Sequence, residues 1–544
     1  MKGKFRLINL ILVLLICVCS LCGCVSITTP FTVYEKPNLP EHQCYSSCDE
    51  CGKCLNGECE QSACSEKCLG HQVVDNSAQL LKQKAYAYSP SIPSQMPRVS
   101  VTTNDNNKFA TKYTSSKGVD YTDCTVSVEN CQAEHQIKNA VAGIRVRGNA
   151  TVTYAKKPFR IKFDKKQNML GLNGGAKCKS WVLLAEYKDS SFLRNSVAFY
   201  LGNTVLGSDG LYTTDYMHVE LYLNGQYWGV YLLAEQQQVD FNRVNVGKPE
   251  EGYEGVDIGY FFEYDGYYNN EAALEKFTID YGGKPVVKRL NGSNMSYAQS
   301  GYAIKNDIYS QAQNDFLKWY LNGVYTIMYE AAYNDNYLEF DADYTCLVAS
   351  EEKTAKAAIA RSVNIQSVVD TYILNEICCD YDINWSSFYL SADLSPKGDG
   401  KLTLQAPWDF DSSLGLKNAC ASGKEMFVAN SNNPWLVVLI TEDWFMDMVK
   451  EKWSEMKDNG VLKNVLNLID TFATTNGSYY EQSFEKWGNI NIQLPDNLLK
   501  PVVNCKTHAE AADYLKGWLY TRLNYLNGQF GDGTDVLTGE IITQ

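Results

Sequence analysis

From about Lys82 to about residue 298 apolar residues recur largely at every second position, and beyond it at helical spacing. That switch of period constrains the fold more than any single motif, because strands bury alternate residues and helices bury a stripe. RVSVTT, AGIRVRGN, PFRIKFD and WVLLAEY alternate as strands do. YMHVELYLNGQYWGVYLLAEQ holds two β-rich runs joined at Asn224-Gly225, a strong hairpin signal. SFLRNSVAFYLGN reads as a helix with Ser190 or Ser191 as N-cap, and VDIGYFFEYD as one more strand. Then SQAQNDFLKWYLNGVYTIMYEAAY and NIQSVVDTYILNEICCDYD read as helices, and WSSFYLSAD with LTLQAPWDFD as a strand pair. The helical pattern returns from about Pro434 to Phe530. The predicted class is α+β, with a β-rich N-half over residues 99–298 and a helix-rich C-half over residues 299–531.

The N-terminus, MKGKFRLINLILVLLICVCSLCGCVS, has basic Lys2, Lys4 and Arg6 followed by a short apolar run, the pattern of an export signal over residues 1–23. LCGC at Leu21–Cys24 resembles a bacterial lipobox, so Cys24 is the expected site of a lipid anchor at an extracytoplasmic membrane face. A polar, proline-spotted tether follows over residues 24–43. Residues 44–71 then crowd Cys44, Cys48, Cys51, Cys54, Cys59, Cys64 and Cys68 into one run. Too few apolar residues stand there to fold by burial, so disulfides, the default in an exported chain, or a metal such as zinc or an iron–sulfur centre must hold the segment. Residues 72–98 read as a linker and 532–544 as a tail. The net charge of −14 disfavours nucleic acid as a partner.

Five scattered histidines, without H-x-x-x-H spacing, argue against a His-rich metallohydrolase. No G-x-S-x-G elbow, Walker loop or G-x-G-x-x-G occurs. Acids remain. Asp380 and Asp382 precede the strand pair, and Asp409 and Asp411 stand at its far end, in PWDFDSSLG. If that stretch is extended, Asp409 and Asp411 share a face and Phe410 takes the other. Like charges so placed repel unless a cation lies between them, and a hard divalent ion such as Mg²⁺ suits carboxylate oxygens. The basic side is IRVRGNATVTYAKKPFRIKFDKK: Arg145 and Arg147 on one strand, a bend at Gly148-Asn149, then Arg160 and Lys162 on one face of the next. Such a face can hold phosphate.

RVRGNATVTYAKKPFRIKFDKK, WVLLAEYKDSSFLRNSVAFYLG, YLNGQYWGVYLLAEQ, YILNEICCDYDINWSSFYL and PWDFDSSLG, in this order, together resemble the spore-coat protein H (CotH) family of kinase-like proteins. YLKGWLYTRLNYLNGQF is similar to that family's last helix. The resemblance implies an atypical, bilobal protein-kinase-like fold that binds ATP and Mg²⁺ between its lobes and transfers phosphate to protein Ser/Thr, with surface or spore-coat proteins as the partners. It makes Asp382 the catalytic aspartate, Asp409 the metal aspartate with Asp411 assisting, and Asn384 a further metal ligand. Arg147, Lys162, Glu235 and Trp408 become the nucleotide contacts, with Lys157, Arg160 and Lys288 as rival cations. Two departures stand out. Ser386 and Ser387 follow Asp382 where ordinary kinases carry a metal-binding Asn, and D-F-D stands for D-F-G. The alternatives are a catalytically silent surface scaffold, a glycoside hydrolase with paired carboxylates, and transfer of AMP rather than phosphate.

Overall fold

The computed structural model describes residues 77–104, 120–297, 300–490, 492, 494 and 497–541. The expected export signal, the tether and the Cys-rich segment lie outside the described residues. Within them the molecule is α+β, as its two hydrophobic periods require.

Strands β1 (Arg98–Thr103), β2 (Thr122–Glu129), β3 (Ile137–Val146), β4 (Phe159–Gln167), β5 (Cys178–Leu184), β6 (Tyr216–Leu223) and β7 (Gln226–Glu235) close into a barrel. Its order is β1-β2-β3-β4-β5-β7-β6, and β6 returns to β1 in parallel. Alternation decides which side chains fill it: Phe159, Ile161 and Phe163 of β4 are buried, while Lys162 points to solvent. The β6–β7 turn is the expected one. Asn224 and Gly225 adopt φ of +52° and +77°, the left-handed pair that a two-residue hairpin needs.

A second sheet has the order β14-β13-β8-β10-β9, built from β8 (Gly259–Asp265), β9 (Lys276–Phe277), β10 (Gly301–Ile304), β13 (Phe388–Asp393) and β14 (Leu402–Leu404). A small pair, β11 (Leu338–Phe340) and β12 (Leu347–Ala349), stands apart. The principal helices are α1 (Ser77–Tyr86), α2 (Arg194–Val205), α3 (Gln311–Asn334), α4 (Ala355–Ala360), α5 (Ile365–Cys378), α6 (Asp443–Asp458), α7 (Val461–Trp487) and α8 (His508–Phe530).

Three expectations need correction. Residues 72–98 are not a plain linker: α1 lies within them, and Tyr86 and Met96 are buried in the main core. Neither Ser190 nor Ser191 is the N-cap of α2. Leu193 takes that position, and the Asp189 carboxylate accepts the Arg194 N–H at 2.9 Å instead. The stretch after β14 is not extended as far as Asp411, because β14 ends at Leu404 and Ala406 and Asp409 have φ of +61° and +67°.

Candidate active site

Two chain reversals bring the acids together. Helix α5 stops at Cys379, whose φ of +47° is a left-handed helix end, so Asp380 leaves the helix axis at once. Asp382 then opens a single 3₁₀ turn, and its N–H donates to Asp380 Oδ1 at 3.1 Å. On the other segment Asp409 is turned out of the strand direction while Phe410, beside it, enters the core. A turn, rather than alternation along a strand, thus places Asp409 and Asp411 together.

The result is a buried group of like charges. Burial, then Asp411 and Asp382, push the Asp409 carboxyl up to about 7. Asp380 is driven well above the carboxylate range by burial and then by Asp382, with Asp409 and Asp411 adding to it. Burial also raises Asp382, against the pull of Lys188. Three cations answer these acids: Lys188, Arg147 and, at Asp382, Lys417. Lys188, buried just before α2, pairs with Asp411 Oδ1 at 2.9 Å and donates to Ser412 Oγ at 2.8 Å. Burial opposes its charge, but Asp411 and Asp382 overcome that and hold its amine above the ordinary range. Arg147, following β3, stands 5.5 Å above the Trp408 ring and lowers the Asp409 carboxyl in turn.

Asp409 is fixed from both sides. Ser387, itself at φ +61°, donates its N–H to Glu263 Oε1 at 2.8 Å and its hydroxyl to Asp409 Oδ2 at 3.3 Å. Asn195 of α2 accepts the Phe410 N–H at 2.9 Å and donates to the buried Glu186 at 3.0 Å. Lys188, Ser387 and Glu263 were not among the expected site residues. Lys188 did carry a signal: it is a lone cation between Glu186 and Asp189, directly ahead of a helix start.

The other expected residues divide. Trp408 is a buried ring stacked on Phe199 at 5.5 Å, so it serves first as the floor beneath Arg147. Glu235 ends β7, fully buried, pairs with Arg243 at 3.1 Å and accepts from Asn173 at 3.0 Å. Burial raises its carboxyl and Arg243 opposes that. Lys162 is exposed, with its Nζ 6.0 Å from the centre of the Tyr121 ring, and forms no ion pair with the aspartates among the described residues. Arg160 lies closer in: burial, and the neighbouring Arg145, Arg147 and Arg243, depress its guanidinium. Lys157 is tied to the Val152 and Tyr154 carbonyls at 2.7 and 2.5 Å, and Lys288 is exposed. Asn384 is committed elsewhere, its amide oxygen accepting the Asn432 N–H at 2.6 Å.

Among the described residues no three His, Cys, Asp or Glu side chains form a cage that could enclose a metal ion. A divalent cation held by one or two carboxylates plus phosphate and water needs no such cage. The hard oxygens of Asp409 and Asp411, repelling one another in a buried place, fit that requirement. Beside Asp382 opens a cavity of about 520 Å³ lined by Tyr381, Asn384, Trp385 and residues 425–427 and 430–432.

The molecule is therefore a mixed α+β protein in which a cation-bearing barrel stands against a buried cluster of aspartates. Residues 144–526, well over half of the chain, match the family described as CotH kinase protein, and the chain belongs to that family. No curated protein matches it.

Proposed function

We propose that this protein is an atypical, two-lobed kinase that moves the terminal phosphate of ATP to a protein Ser or Thr hydroxyl outside the cytoplasm. One observation carries the reading: four aspartates converge under Arg147, with Asp409 held near 7 by its acidic neighbours. Phosphoryl transfer asks a protein for positioning and for opposed charge rather than for covalent help. Mg²⁺ bound at Asp409 and Asp411 would neutralise the phosphate charge that builds up during transfer. Arg147 and Arg160 on the barrel side hold the phosphates from above. Asp382 accepts the hydrogen of the incoming hydroxyl and aims its oxygen at the phosphorus. Ser387, itself held by Glu263, steadies the Asp409 carboxylate. The export pattern and Cys24 support a lipid-anchored setting for this chemistry, and a surface or coat protein is the acceptor on this reading.

The test is incubation with ATP labelled at the γ or the α phosphorus, followed by intact mass of the product. γ-Label on the acceptor supports the kinase, and α-label means AMP transfer. A second reading, a binding scaffold without turnover, draws support from Lys188, whose amine already neutralises Asp411 without any metal. Under it neither label transfers, and ATP with Mg²⁺ leaves the melting temperature unchanged.

A further inference from the structure

Neither Arg147 nor Arg160, the cations given to the phosphates, lines the cavity beside Asp382, and its walls are braced from behind. Its far side, the loop 425–432, is pinned from behind by Glu376, whose carboxylate accepts the N–H groups of Phe427, of Val428 at 2.8 Å and of Ala429 at 3.3 Å. Arg522 of α8 braces that carboxylate at 2.5 Å and also donates to the Glu425 carbonyl at 2.5 Å. The near side is tied to the Asp382 turn: Asn432 N–H donates to Asn384, and Asn433 Nδ2 donates to the Ile383 carbonyl at 2.9 Å. The space keeps a fixed distance from Asp382 as a result.

Its chemistry is amphipathic. Tyr381 and Trp385, on either side of the turn, are 44% and 41% exposed, an unusual degree for large rings. Met426 and Phe427 extend the apolar surface, while Asn291 and Asn432, whose amide oxygens already accept from Ser293 and Ser296, add polar surface. Glu425 is the one charged lining residue, which disfavours an acidic occupant. Lys417, 5.5 Å over the Tyr381 ring, disfavours a basic one. An apolar body with a polar tip satisfies both surfaces, and that is the make-up of a tyrosine side chain.

Building on the kinase reading, we infer that this cavity receives a tyrosine side chain of the acceptor polypeptide adjacent to the Ser or Thr that takes phosphate. The pocket selects substrates by that neighbour and holds the hydroxyl at Asp382.

The experiment uses the full chain with Mg²⁺ and ATP, and peptides carrying one Ser flanked by Tyr, Leu, Lys or Asp. Tyr should lower KM about tenfold relative to Lys or Asp, in the range that one well-fitted group supplies. Tyr381→Ala and Trp385→Ala should each erase that preference, while the melting shift produced by ATP and Mg²⁺ stays as in the natural chain. Equal KM for all four peptides overturns the inference. So does a preference that survives both substitutions, or phosphate found on oligosaccharide and on no peptide. A missing ATP shift in the natural chain is a separate result, and it overturns the kinase reading itself.

Discussion

At Asp409 the physics can be read as a pH dependence. An unfolded Asp titrates near about 3.9, whereas burial and two neighbouring acids bring this one to about 7. Between those values the folded state keeps a proton that the unfolded state has released. Its contribution to stability is therefore present below about pH 4 and is lost as pH rises through 7. Asp409→Asn removes that loss. Without ligand the variant should be more stable than the natural chain at pH 8, by about 1–3 kcal/mol, and the difference should vanish near pH 4. Urea unfolding across that range measures it. The same variant should lose stabilisation by ATP and Mg²⁺. Asp382→Asn should keep that stabilisation and lose transfer by roughly 10²–10⁴-fold, the usual worth of a positioned proton acceptor. Which acids gather was legible in the sequence, because turn or cap roles account for four acids in two adjoining apolar segments less well than a shared site does. How they gather was not. The alternation rule assigns faces only to extended residues, and Asp409 and Ser387 sit at positive φ. The role of Lys188 was not legible for a different reason: its partner Asp411 lies far along the chain, and only the folded chain brings them together.

Among the elements, those with a strong internal period were readable and those fixed by distant partners were not. The hairpin at Asn224-Gly225 follows from local backbone preference alone. Helix α1 is short and only half apolar, and it is held from outside, through Tyr86 in the core and Lys82 paired with Glu455 at 2.9 Å. A fully buried long-range ion pair joins α5 to α8. Glu376 and Arg522 are both fully buried, and between them they carry the loop that walls the cavity. Removing one partner leaves a buried charge uncompensated, which costs about 3–5 kcal/mol. Arg522→Leu should show that loss in urea and should raise hydrogen exchange at residues 427–429. Glu376→Gln, which keeps an acceptor oxygen for those N–H groups, should cost less.

For the whole molecule, the question is whether barrel and helices form separable bodies. The barrel has an interior core of its own, including Val99, Ile144, Trp181 and Tyr231. Its outer face does not stand alone. Val182, Val230, Leu232 and Tyr216 belong to one continuous apolar cluster with Phe199 of α2, Tyr372 of α5, Trp453 of α6, Phe472 of α7 and Leu523 of α8. Detaching the barrel would expose that whole surface at about 25 cal/mol per Å² of apolar area. A cooperative unit of this kind should unfold in a single calorimetric transition, with van't Hoff and calorimetric enthalpies equal for the region beyond residue 76. Phe199 is the point at which to press. It stacks on Trp408 at 5.5 Å and meets Phe410 edge-on at 6.3 Å, so it couples the barrel side to the turn that carries Asp409. Phe199→Ala should cost about 3–5 kcal/mol, the usual price of deleting a core phenyl ring. It should also weaken stabilisation by ATP and Mg²⁺, although it touches neither. Two transitions in the natural chain, or a Phe199→Ala protein that melts lower yet responds to ATP unchanged, would show that the cleft draws its rigidity from somewhere other than this shared core.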